Sequence, residues 1–137
     1  MFLLDTNITS ELRKPRPHGA VVAWFASRAP SAYAVPSIAI YEAQAGAEIV
    51  RFQNPAKAAE IEMWIADLIR LSRVLPLDAP AAQETARLMH GKSLDLLEDA
   101  MIAAIAKVNG LTIATRNTAD FLSFGVPQVN PFLFPRP

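Results

Sequence analysis

The chain contains no cysteine. Disulfides and thiolate metal sites are therefore excluded, and a reducing, cytoplasmic setting is the default expectation. Histidine is nearly as scarce: His18 and His90 are the only two and stand far apart, so no helical zinc pair exists. No apolar run approaches the roughly 20 residues that cross a bilayer, and no charged-then-apolar leader precedes Asp5, so no membrane role is expected. Also missing are the Gly-x-Ser-x-Gly elbow, the phosphate-binding Gly-x-x-x-x-Gly-Lys loop and the dinucleotide Gly-x-Gly-x-x-Gly. Each absence removes a large class of enzymes. Excess charge is lacking too, since 13 basic and 13 acidic residues cancel. Neutrality does not exclude a polyanionic partner: acids gathered into one pocket would leave the remaining surface net positive.

What is present is ordinary globular composition, 52% apolar and 19% charged. There is no internal repeat and no dividing linker, so residues 1–137 are expected to form one domain. Phe2–Leu4 reads as a short buried strand, and TNITSEL as a helix broken by the turn KPRPHG, in which His18 is a turn residue. VVAWFASRA is helical and AYAVPS extended. Ser37 is expected to cap the helix IAIYEAQAGAEIV. After Asn54-Pro55 comes the amphipathic helix AKAAEIEMWIADLIRLS, with Ile61, Trp64, Ile65 and Leu68 on one side. RVLPL, a helix DAPAAQETARLMH ended by Gly91, and a helix running from a Ser93 cap to Gly110 follow. In that last helix Leu94, Leu97, Met101, Ile105 and Val108 share a spacing. LTIAT is a fourth strand, NTADFLSF a helical turn ended by Gly125, PQVNP an edge strand, and PFLFPRP a tail packed on the surface. Trp24 and Trp64 suit core or interface packing rather than base stacking.

Short apolar strands alternating with helices predict a parallel sheet covered on both faces. In such sheets ligands bind beyond the carboxyl ends of the strands, and Asp5 ends the first strand. Glu42 falls early in the helix after the second strand, and Asp99 lies in the helix before the fourth, past its first turn and four residues after Asp95. Asn117 and Asp120 follow the fourth strand. Bland roles exist for several: Asp5 as a helix cap, Glu42 as an exposed helical residue, Asp95 near a helix start, Asn117 and Asp120 as a capping box. Yet Ala39, Ala43, Ala45, Gly46 and Ala47 around Glu42 favour close packing. Carboxylates converging in a cleft raise one another's pKa unless a cation offsets them, and an all-oxygen donor set favours Mg²⁺ or Mn²⁺. The natural chemistry of such a site is phosphodiester hydrolysis.

FLLDTNITSELRKPRP, AIYEAQAG, LEDAMIAAIAKVNGLTIATRNTADF and VNPF, in order from Met1 to about Phe132, resemble PIN-domain ribonucleases, specifically VapC-type toxins of the FitB-like branch. The resemblance implies a three-layer α/β/α sandwich with a short, mainly parallel central sheet. It also implies a Mg²⁺- or Mn²⁺-dependent endoribonuclease acting on single-stranded RNA, a homodimer, and a cognate VapB-like antitoxin through which operator DNA is reached. It makes Asp5 and Asp99 the metal ligands and Glu42 the third acid, orienting a water, with Thr6 and Thr115 as supporting hydroxyls. Where many relatives carry a fourth acid this chain has Asn117, which brings no charge; Asp120 is a partial substitute. Arg116, Arg13 and Lys14, together with Arg16 and Lys92, are candidates to guide the RNA backbone by charge.

Two rivals share the acidic-pocket logic. A phosphoacceptor receiver needs an aspartate ending a central strand and a lysine after a later one, a pattern absent from LTIATRN and RVLPLD. A haloacid-dehalogenase-type phosphatase needs an aspartate where Asn7 stands. A third reading, a catalytically degenerate PIN-like domain serving protein interaction, is kept open by Asn117.

Overall fold

The computed structural model describes residues 1–135. Five strands, β1 (Phe2–Leu4), β2 (Tyr33–Pro36), β3 (Arg73–Leu75), β4 (Thr112–Ala114) and β5 (Gln128–Val129), form one sheet in the order β3-β2-β1-β4-β5. Every neighbouring pair is parallel. The helices are α1 (Thr6–Arg13), α2 (Gly19–Ala26), α3 (Ser37–Arg51), α4 (Pro55–Leu71), α5 (Ala79–Met89), α6 (Leu97–Val108) and α7 (Thr118–Phe121).

Register explains the layers. Leu3 stands beside Ala34 and Ile113, whereas Phe2 pairs with Tyr33 and Leu4 with Ala114. Because side chains alternate along a strand, these two sets point to opposite faces. Leu3, Ala34 and Ile113 enter a core with Leu88 of α5, Ile102 and Ile105 of α6, and Phe121 of α7. Leu4, Tyr33 and Ala114 join Ile8 of α1 and Val21 and Trp24 of α2 in a second core. The result is the expected three-layer α/β/α sandwich. Ala100 and the run Ile102–Ala106 are all buried. Small side chains on its buried stretch let α6 approach the sheet closely, which is why that stretch carries alanines.

Several local expectations are corrected. Ser37 does not cap α3; Pro36 occupies the cap position, and the Ser37 hydroxyl accepts the Leu77 backbone N–H at 3.2 Å. That bond ties α3 to the segment after β3, satisfying a donor the sheet leaves unpaired. Ser93 does act as a cap, but on a 3₁₀ turn at Leu94–Leu96, and α6 itself begins only at Leu97. Leu94 is therefore exposed rather than on the buried stripe. Asp99 falls in the first turn of α6, where the helix dipole favours its charge, not beyond it. His18 is the cap of α2, its Nδ1 accepting the Ala20 N–H at 3.2 Å. Trp24 is buried, and Trp64 is half-buried beneath the Arg13 guanidinium. The tail packs through a 3₁₀ turn at Pro131–Leu133, with Phe132 against the second core; Arg136 and Pro137 lie outside the described residues. Among the described residues no helix is long and apolar enough to cross a membrane.

The crossovers place β2 and β3 on one side of β1, and β4 and β5 on the other. Chain direction thus diverges between β1 and β4, and a crevice opens beyond their carboxyl ends. Asp5 and Thr115 are the first residues past those ends.

Candidate metal centre

Asp5 is only 7% exposed, yet every hydrogen bond it accepts is accounted for. Its Oδ1 accepts the Thr6 N–H at 2.8 Å, so it does cap α1. Its Oδ2 accepts the Thr115 hydroxyl at 2.8 Å and the Asn7 amide at 3.2 Å. The Thr115 hydroxyl in turn receives the Asn7 amide at 3.3 Å and the Asn117 N–H at 3.0 Å. Asn7 Oδ1 accepts the Arg116 N–H at 3.2 Å, closing a network that joins the ends of β1 and β4. Asn117 forms no side-chain cap on α7, so the capping-box reading fails; the Thr115 hydroxyl takes the bond instead.

Above this base lies a cleft of about 320 Å³ lined by Asp5, Thr6, Asn7, Ser10, Glu42, Glu98, Asp99 and Asn117. Three carboxylates from three remote stretches of sequence, on β1's end, α3 and α6, thus share one wall. A larger hollow of about 480 Å³ beside β2 and β3 is mainly apolar and has no acid in its lining, so it offers none of this chemistry. Asn7, Ser10 and Glu98 were not singled out by sequence. Their signal was adjacency: Asn7 and Ser10 stand on the first helix beside Asp5, and Glu98 precedes Asp99.

Electrostatics follow from the crowding. Burial pushes the Glu42 carboxyl up to about 7; Asp5, Glu98 and Asp99 add to the rise, while the Thr6 hydroxyl opposes it. The Asp99 carboxyl is pushed up to about 6, chiefly by burial, then by Asp5, Asp120 and Glu98. Asp5 is raised by burial, held back by Thr115 and the Thr6 N–H, and raised again by Asp120. The Thr6 hydroxyl itself is buried without a hydrogen bond of ordinary length; its effect on Glu42 is one of proximity.

The donor set fits a hard cation: oxygens only, four acids, and no basic side chain in the lining among the described residues. No three Asp, Glu or His groups among the described residues form a ready-made cage. Mg²⁺ keeps several waters and takes one or two protein carboxylates, so it does not require such a cage. The other candidates are placed apart. Asp120 is exposed and outside the lining, felt only through its charge. Arg13 and Lys14 line a separate hollow, and Lys14 is paired with Glu11 at 2.9 Å. Arg116 is exposed beside the cleft, over the Phe132 ring.

The PIN domain family model matches residues 2–125, and the chain belongs to this family. It is 34% identical over 139 residues to Toxin FitB of Neisseria gonorrhoeae, covering 96% of this chain and 99% of that protein. It is 33% identical over 144 residues to the VapC ribonuclease Y4jK of Sinorhizobium fredii, covering 96% and 98%. Its backbone matches a solved FitAB assembly bound to an IR36 DNA fragment with a TM-score of 0.83 at 32% identity, over 99% of both chains. These similarities place it among the PIN-domain toxins.

Proposed function

We propose that this protein is the toxin of a VapBC-type pair and an endoribonuclease that hydrolyses phosphodiester bonds in single-stranded regions of RNA, assisted by Mg²⁺ or Mn²⁺. The observation that carries the reading is the meeting of Asp5, Glu42 and Asp99 in one cleft at the sheet's switch point. Similarity to a VapC ribonuclease and to a toxin supports the activity, and similarity to a DNA-bound FitAB assembly supports a cognate antitoxin that reaches operator DNA. A homodimer and a cytoplasmic location complete the proposal.

Asp5 and Asp99 would hold the cation. When bound, the cation supplies positive charge that offsets the acids and the scissile phosphate. Thr115 and Asn7 clamp one Asp5 oxygen, so that carboxylate is oriented before substrate arrives. Glu42 accepts a hydrogen bond from the attacking water and then its proton, a role suited to a carboxyl titrating near neutrality. The water oxygen bonds to phosphorus, the bond to the 3′-oxygen breaks, and that oxygen takes a proton from solvent. Products carry 5′-phosphate and 3′-hydroxyl ends. Asn117 lines the cleft without charge, which favours one cation over two.

The test is incubation of the purified chain with single-stranded RNA. Cleavage is expected with Mg²⁺ or Mn²⁺, to vanish with EDTA, and to be lost in folded Asp5→Asn and Asp99→Asn variants. Intact RNA with the folded wild type and either metal would leave the interaction-module reading in its place.

A further inference from the structure

The acidic cleft poses a charge problem for its own substrate. Four carboxylates and no base line it among the described residues, yet an RNA strand must run past its rim. One cation can neutralise the scissile phosphate, but the flanking phosphates need a positive group outside the lining. Six of the 13 basic side chains are already committed to ion pairs: Lys14 to Glu11, Arg51 to Glu48 and Glu62, Lys57 to Glu60, Arg70 to Asp67, and both Arg87 and Lys107 to Glu84.

Arg116 makes no such pair among the described residues. It immediately precedes the cleft residue Asn117, and its backbone N–H is bound by Asn7, whose amide holds Asp5. Its main chain is therefore two hydrogen bonds from the Asp5 carboxylate. The guanidinium carbon lies 4.6 Å from the centre of the Phe132 ring. Phe132 is seated in turn: Asn130 accepts its N–H at 3.0 Å within the 3₁₀ turn, and the His18 ring packs 5.1 Å away. A guanidinium held over an aromatic face spends none of its N–H donors on a hydrogen-bond acceptor there, and a phosphate takes two of them together. The Arg13 guanidinium carbon likewise lies 5.1 Å from the centre of the Trp64 ring, but Arg13 borders other hollows.

We propose that Arg116, braced on Phe132 and tethered through Asn7, is a positioning residue that grips the RNA phosphate flanking the scissile one. The proposal rests on the ribonuclease reading and names how that site holds its substrate. The plainer alternative is that the Arg116–Phe132 contact only fastens the carboxy-terminal turn, in which case it affects stability alone.

The experiment is fluorescence anisotropy of a labelled, short single-stranded RNA against the intact protein in EDTA across a salt series, paired with steady-state cleavage in Mg²⁺. Arg116→Gln is expected to weaken binding about tenfold at low salt and to lower the slope of log affinity against log salt by about 0.7, the share of one single-strand phosphate contact. It should raise KM while leaving kcat within about twofold. Arg116→Lys should keep the slope and lose part of the affinity, since an ammonium does not stack. Phe132→Leu, which retains an apolar anchor, should keep the slope with a smaller loss. Wild-type slope and KM in Arg116→Gln, with only a lower Tm, would overturn the proposal; so would unchanged RNA binding with lost antitoxin affinity. Metal-dependent cleavage with an unaltered Arg116→Gln slope overturns the clamp alone. An Arg116-dependent slope without any cleavage supports the clamp and overturns the nuclease reading.

Discussion

The Thr115 hydroxyl donates to Asp5 at 2.8 Å across 110 positions of sequence. This one bond joins the carboxyl ends of β1 and β4, and three further groups lean on it: the Asn7 amide, the Asn117 N–H and, through Asn7, the Arg116 N–H. Thr115 has no exposed surface, so nothing in solvent can take its place.

Thr115→Val keeps the shape and removes the hydroxyl. It orphans the Asn117 N–H and leaves Asp5 Oδ2 with the Asn7 amide alone, with an expected loss of about 1–3 kcal/mol in urea unfolding. Thr115→Ser should recover most of it. A Val variant as stable as the wild type would show that the network carries no stability.

Stability without divalent cations should fall as pH rises from about 4 to 7. The folded-state carboxyls of Glu42 and Asp99 titrate near 7 and 6, above their unfolded values, so the unfolded chain releases its protons first. Deprotonation therefore favours unfolding across that window, and the full penalty is present above pH 7. Glu42→Gln should flatten the profile and gain about 1 kcal/mol at pH 8, allowing for partial screening by water. Thermal melts in EDTA at stepped pH check it; a rising profile contradicts the crowded-acid account.

Mg²⁺ or Mn²⁺ should reverse that penalty. Addition at pH 8 is expected to raise Tm, with a smaller effect at pH 5, where protons compete for the same oxygens. Calorimetry in two buffers of different ionisation enthalpy should register proton release on binding near pH 6. Asp99→Asn should abolish the Tm response, and a full response in that variant would remove Asp99 from the ligand set.

Asn117→Asp restores a fourth acid to the lining. It should tighten divalent binding and lower metal-free stability at pH 8, because another like charge enters a half-buried cleft. Equal metal affinity in both proteins, read by titration calorimetry, would place residue 117 outside the cation's reach.

Ser37→Ala tests a bond that sequence misassigned. Removing the hydroxyl orphans the Leu77 N–H and should cost about 1 kcal/mol in denaturant unfolding. A Ser37→Ala variant as stable as the wild type would show that this bond carries no stability.

Much of the fold was legible because its signals are local. Phe2–Leu4 and the apolar runs around residues 33–36, 73–75 and 112–114 are strands, and Gly91, Gly110 and Gly125 end turns or helices at positive φ, as glycine can without a Cβ penalty. The failures are also physical. Whether Ser37 caps a helix or bonds a distant N–H depends on what packs nearby, which propensity does not encode. Where α6 begins was likewise misjudged: a 3₁₀ turn and an α-turn both fit the spacing of Leu94 and Leu97, and only the surrounding packing selects between them.

By itself the sequence determined which residues could be acid ligands and that strands alternate with helices, since residue chemistry and short-range periodicity are written along the chain. The tertiary structure alone decided that Glu98 joins Asp5, Glu42 and Asp99 while Asp120 stays outside, and that Asn7 ties the two strand ends together. Those outcomes depend on strand order and register, which bring residues a hundred positions apart into hydrogen-bonding range. No local pattern carries that distance.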